Sequence, residues 1–225
     1  MQFFSASRTS ILIAALCLCA HGQETSAKTE PLNEAKGVPA RPSPGDYQAQ
    51  AKAGTVTIAA DFDEHAVPTE DGTFSTDDYV VVEAAFFGPP DARLKISTGD
   101  FSLRINDRKT PLPYQAFEFV GRTLKDPNWV PPDEDKDKDK SKGGLSTGGN
   151  GQAAGSPPPA PPKMPVKLQL AMEQHVHKAT FLEGDRALPQ AGLLFFEYRG
   201  KPKNVHSVEL IYDGPAGKAT LTLQP

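Results

Sequence analysis

Apolar residues recur at every second position in a series of short runs, and this period constrains the fold more than any other feature of the chain. In "TVTIAADF", Val56, Ile58, Ala60 and Phe62 alternate with Thr55, Thr57, Ala59 and Asp61. Successive side chains of a strand point to opposite faces, so the run predicts a half-buried strand. "DDYVVVEAAFFGPP" places Val80, Val82, Ala84 and Phe86 on one face and Tyr79, Val81, Glu83 and Ala85 on the other. Apolar on nearly both sides, it predicts a central strand closed by Gly88, Pro89 and Pro90.

The same signal returns downstream. "ARLKIS" and "DFSLRIN" follow, the second with Phe101, Leu103 and Ile105 inward, and "AFEFVG" repeats the alternation through Phe117 and Phe119. "GLLFFEYRG", "VHSVELIYDG" and "KATLTLQ" add three more strands, the last two joined by a hairpin across residues 213–217. About eight short strands without βαβ spacing predict a mainly β fold, an immunoglobulin-like antiparallel sandwich. One helix interrupts it: Leu168, Ala171, Met172, Val176 and Ala179 share a face at helical spacing over 166–180. Such a helix is expected to pack across an end or an edge of the sandwich, shielding an open strand.

Two segments lack the apolar density to fold. Residues 23–50 are polar and punctuated by proline, the composition of an N-terminal tether. Residues 131–163 hold seven Pro and six Gly without an aromatic residue, which predicts a disordered insert within the domain. The domain so interrupted runs over 51–225, and its two ordered pieces suffice for one core, not two.

The chain opens with Arg8 ahead of an uncharged apolar run, Ser10 to Ala20, that ends in small residues. That pattern predicts a secretory signal peptide over 1–22, too short to span a hydrocarbon core that needs roughly 20 apolar residues. The expected product is secreted or periplasmic, without a transmembrane segment. Both cysteines, Cys17 and Cys19, fall in the segment to be removed, so no disulfide is expected. Leu16 and Leu18 precede them where lipidation wants a small residue, which argues against a lipid anchor. The net charge of −4 becomes −5 on losing Arg8, which speaks against binding to a phosphate backbone, a task for clustered Lys and Arg.

Three stretches, "DDYVVVEAAFFG", "GDFSLRINDRKTPLP" and "LPQAGLLFFEYRGKPKNVHSVELIYDGPAGKATLTL", together resemble the telokin-like, immunoglobulin-fold domains of secreted or lipid-anchored bacterial proteins of unknown function. The resemblance covers about 100 residues and is a pattern of strands. It implies the sandwich fold and carries no catalytic residue with it. The insert and the helix before the last strands depart from that pattern.

Candidate chemistry is sparse. In "DEDKDKDKSKGG", Asp133, Asp135 and Asp137 stand at the first, third and fifth positions of a calcium loop, but Lys138 occupies the position of the turn glycine and Gly144 that of the bidentate Glu. Alternating Lys cancels the acids, so a solvated spacer is expected. His175 and His177 lie about 200° apart on the helix and cannot chelate together. "DFDEH" ends a strand with Asp61, Asp63, Glu64 and His65, and is the best candidate for a divalent metal. Trp129, the only Trp, sits at the border of the insert as either an interaction anchor or a plug for the sandwich edge. No nucleophile elbow and no phosphate-binding loop is present. The expected function is therefore a non-enzymatic module, without cofactor, that binds a protein or an envelope component through a strand edge or end loops. A metal-binding domain built on Asp61 to His65 is the alternative.

Overall fold

The computed structural model describes residues 35–130 and 164–225. The expected signal peptide, the first part of the tether and the insert over 131–163, with its acidic repeat, lie outside the described residues. In chain order the strands are β1 (Ala49–Ala53), β2 (Val56–Phe62), β3 (Ala66–Thr69), β4 (Gly72–Thr76), β5 (Tyr79–Phe87), β6 (Arg93–Ile96) and β7 (Phe101–Ile105). There follow β8 (Leu112–Pro113), β9 (Leu124–Lys125), β10 (Gly184–Ala187), β11 (Gln190–Glu197), β12 (Val208–Gly214) and β13 (Gly217–Leu223). The helices are α1 (Phe117–Val120) and α2 (Val166–Ala179).

The fold is mainly β, and its ladders are antiparallel. One four-stranded sheet has the order β1-β2-β5-β11 and another β13-β12-β7-β8, with a pair β10-β6 and a three-stranded sheet β3-β4-β9 beside them. The period of two decides the core. Val56, Ile58, Ala60, Phe62, Val80, Val82, Ala84 and Phe86 from the first sheet share one cluster with Phe101, Leu103, Ile105, Val208, Leu210, Tyr212, Leu221 and Leu223 from the second. Phe86 sits at its centre, its ring 5.6 Å from Phe101 and 5.4 Å from Tyr212. Burying one such side chain contributes roughly 2–3 kcal/mol.

The first sheet is covered on its other face too, which explains why β5 and β11 are apolar on both sides. Tyr79, Val81, Leu193 and Phe195 pack there against Val67, Leu124 and the helix residues Met172, Val176 and Ala179. The helix thus forms over the expected residues but lies on a sheet face, not across an end or edge. The apolar outer faces of β5 and β11 require a cover of their own, and α2 supplies it.

The remaining part of that face corrects the expected tether. Residues 35–50 are not free: Tyr47 is buried with Ala59, Ala85 and Ala191, and Val38 and Ala40 pack on the same cluster. Alanine at these three positions leaves a shallow surface on which an extended segment can lie close. A few anchors spaced along a polar, Pro-containing run then hold it, and their low density made the run read as unstructured.

"AFEFVG" is not a strand. Phe117 to Val120 form one helical turn, followed by a 3-10 turn over Gly121–Thr123. Phe119 is 61% exposed while Val120 is buried, so the two phenylalanines mimic an alternation that the burial does not follow.

The free edge of β11 is closed by three segments. Val38 bridges Ala191, Thr180 at the end of α2 bridges Leu193, and Tyr114 bridges Phe196. At the opposite side Gln48 donates from Nε2 to the Gln224 carbonyl at 2.9 Å, tying the start of β1 to the end of β13. The bridges on β11 leave that edge less open to pairing with another chain.

Candidate functional site

The segment Asp61 to His65 leaves β2 and turns sharply, with the Ala66 amide donating to the Asp63 carbonyl at 2.9 Å and Glu64 at φ +54°. That turn sends its side chains in different directions. Asp61 accepts from Arg41 and from the Gln48 amide. Asp63 has a buried Oδ2 without a hydrogen-bond partner. Glu64 is exposed. His65 places Nδ1 2.6 Å from the Tyr79 carbonyl and Nε2 3.0 Å from the Gly200 carbonyl. The four residues expected to form a metal centre are therefore not assembled into one, and no group of three or more His, Cys, Asp or Glu suited to a metal occurs among the described residues.

Charge is nonetheless concentrated on that face. Arg41 reaches Asp61 and, at 3.4 Å, Glu83, with its guanidinium 4.3 Å from the Tyr47 ring centre. Burial pushes the Asp63 carboxyl up to about 7, with the nearby charges of Glu83 and Asp61 adding to the effect. Burial also raises Glu83, and Arg41 opposes that rise. The geometry is that of a clamp: Arg41, from the N-terminal segment, neutralises carboxylates that the sheet presents outward.

The helix histidines part as expected. His175 lies against the Asp71 carboxylate and stacks on Phe74, whereas His177 packs on Phe117 at 5.0 Å between ring centres. Trp129 is half-buried in a turn, its amide donating to the Asp126 carbonyl at 3.1 Å.

A wide cavity lies elsewhere, at the end of the fold where β7 leads to β8 and β11 to β12. It has a volume of about 650 Å³, and its walls include Asn106, Arg108, Gln115, Tyr198, Arg199 and Asn204. The antiparallel pairing of β7 with β12, Ile105 opposite Val208, brings the two connections together. Asn106 then joins them. Its Nδ2 donates to the Asn204 carbonyl at 2.7 Å and its Oδ1 accepts from the His206 amide at 2.7 Å. Asn106 and Asp107 are both left-handed, at φ +52° and +55°. Two consecutive non-glycine residues in that region mark a place where the surroundings dictate the backbone.

Beneath the cleft, Tyr198 is a buried post. Its ring stacks on His65 at 6.4 Å, and the Arg108 guanidinium stands 6.0 Å from its centre. Gly200 wraps against the same ring so closely that a Cβ there would fall 2.3 Å from it. His65 fastens this wrap to the start of β5 through the Gly200 and Tyr79 carbonyls. A residue singled out as a metal ligand thus serves to fix the loop that borders the cleft.

None of the cleft residues stood out in the sequence. The two connections are some ninety residues apart, and only the β7–β12 ladder makes them neighbours. Comparison with known proteins finds no match: no family model, no curated protein and no solved structure is significantly similar to this chain.

Proposed function

We infer that this chain is an exported, non-enzymatic β-sandwich module of the immunoglobulin-like kind that binds another protein or an envelope component through the loops at its Asn106 end. The observation that carries the reading is the cleft of about 650 Å³ bordered by guanidinium and amide side chains. Loops held by a rigid core are the usual place for recognition, and concave sites with a few polar groups the usual shape. Hydrogen bonds made by Asn106 and His65 hold both loops and favour binding without large rearrangement. Of the two modes expected for such a module, strand addition and loop recognition, the closed edge of β11 favours the second.

Native mass spectrometry and affinity capture from cell-envelope extracts test this, with Asn204→Trp as a variant that fills the cleft mouth. The reading expects a defined partner retained by the unaltered chain and lost with N204W. Retention undiminished in N204W, or only ligand-free chain throughout, contradicts it.

A further inference from the structure

The two connections that frame the cleft read "NDRKT" over 106–110 and "RGKPKN" over 199–204. Folding sets Arg108 and Arg199 in the wall of one cleft, with Glu197 beside them, and Lys109, Lys201 and Lys203 belong to the same two connections. Arg199 is neutralised by Glu197 at 3.2 Å and Asp78 at 3.5 Å. Arg108, Lys109, Lys201 and Lys203 are exposed and form no ion pair among the described residues. Asp107 is the one acid within the two connections. Four unpaired cations on adjoining loops, against Asp107 within them, give these connections an excess of positive charge in a chain of net charge −4.

The geometry points to an acidic polypeptide segment as the occupant of this cleft, an inference that rests on the cleft being the binding site. Guanidinium groups pair planar carboxylates through parallel hydrogen bonds, and the Arg108 head stands 6.0 Å from the Tyr198 ring centre. The exposed lysines of the same two connections add attraction that steers an anionic partner in without fixing its pose. Two features decide against a long uniform polyanion such as nucleic acid. The two basic connections are short, and a polymer running past them would meet the rest of a chain in which acids outnumber bases. A short run of Asp and Glu side chains matches both the patch and the cavity.

Labelled hexaglutamate titrated into the full chain, followed by fluorescence anisotropy, tests the proposal. Two double variants of equal charge change are compared: R108S with K203S at the cleft, and K52S with K95S on exposed strand positions elsewhere. Circular dichroism melts confirm that both fold. Binding that weakens with salt, falls roughly tenfold in the cleft double and stays within about twofold in the other supports the assignment. No binding, or equal losses in both doubles, overturns it. So does tighter binding of double-stranded DNA than of hexaglutamate. A captured partner that needs the open cleft yet ignores salt and hexaglutamate would keep the binding site and remove the acidic ligand.

Discussion

The side-chain amide of Asn106 donates to the Asn204 carbonyl at 2.7 Å while its own carbonyl oxygen accepts from the His206 amide. One side chain thus satisfies two backbone groups of a loop almost a hundred residues away, from a backbone held at φ +52°. Asn tolerates that region better than other side chains. Asn106→Ala removes both bonds and strains the turn, and is expected to cost about 2–3 kcal/mol. Asn106→Gly relieves the strain alone and is expected to cost about 1–2 kcal/mol. Urea denaturation separates the two; equal losses contradict the assignment. Hydrogen exchange in N106A should speed up over 199–206 first.

Asp63 predicts a pH dependence of known sign. Its carboxyl lies at about 7 in the fold against 3.8 in the unfolded chain, so between these values the folded state keeps a proton that the unfolded state has lost. Stability therefore falls as pH rises through that window. Asp63→Asn cannot ionise, and is expected to raise stability by about 1–3 kcal/mol at pH 8 and by little at pH 4. Thermal melts at both values check this, and an equal gain at both contradicts it.

Arg41 holds the N-terminal segment to the sheet and faces carboxylates that repel one another without it. Arg41→Ala should cost about 2 kcal/mol, the scale of hydrogen bonds to charged groups. Because Arg41 keeps Glu83 and Asp63 from rising further, the loss should be larger at pH 8 than at pH 5. Limited proteolysis should then cut first within 35–47. Wild-type resistance of that segment in R41A would show the clamp to be dispensable.

Gly192, in the middle of β11, admits a close approach. A Cβ there would fall 2.5 Å from the Phe181 Cα and 2.6 Å from its amide nitrogen. Backbone atoms cannot step aside as a side chain can, so Gly192→Ala should cost about 1–3 kcal/mol, the scale of overpacking. A neutral effect on the melt would mean that the strand shifts at no cost.

Much of the β framework is legible in the alternation. Val56 to Phe62, the doubly apolar Tyr79 to Phe87 and the closing hairpin all stand where their pattern puts them, because burial of one or both faces fixes the register. The helix is legible for the same reason, but the surface that it covers is not, since periodicity reports a buried face without naming its partner. The segment over 35–50 escapes because its anchors act singly against small alanines. The cleft escapes because Asn106 and Asn204 become neighbours only through a ladder between distant strands. Asp61, Asp63, Glu64 and His65 are adjacent in sequence, yet the turn at Glu64 separates them.

Hydrogen-exchange mass spectrometry of the chain with and without its captured partner tests the central claim most directly. If the loop end is the recognition surface, protection on binding should concentrate over 106–115 and 197–206 and leave 61–65 nearly unchanged apart from His65. Protection confined to the Arg41 and Asp63 face, or to the outer surface of α2, would contradict it.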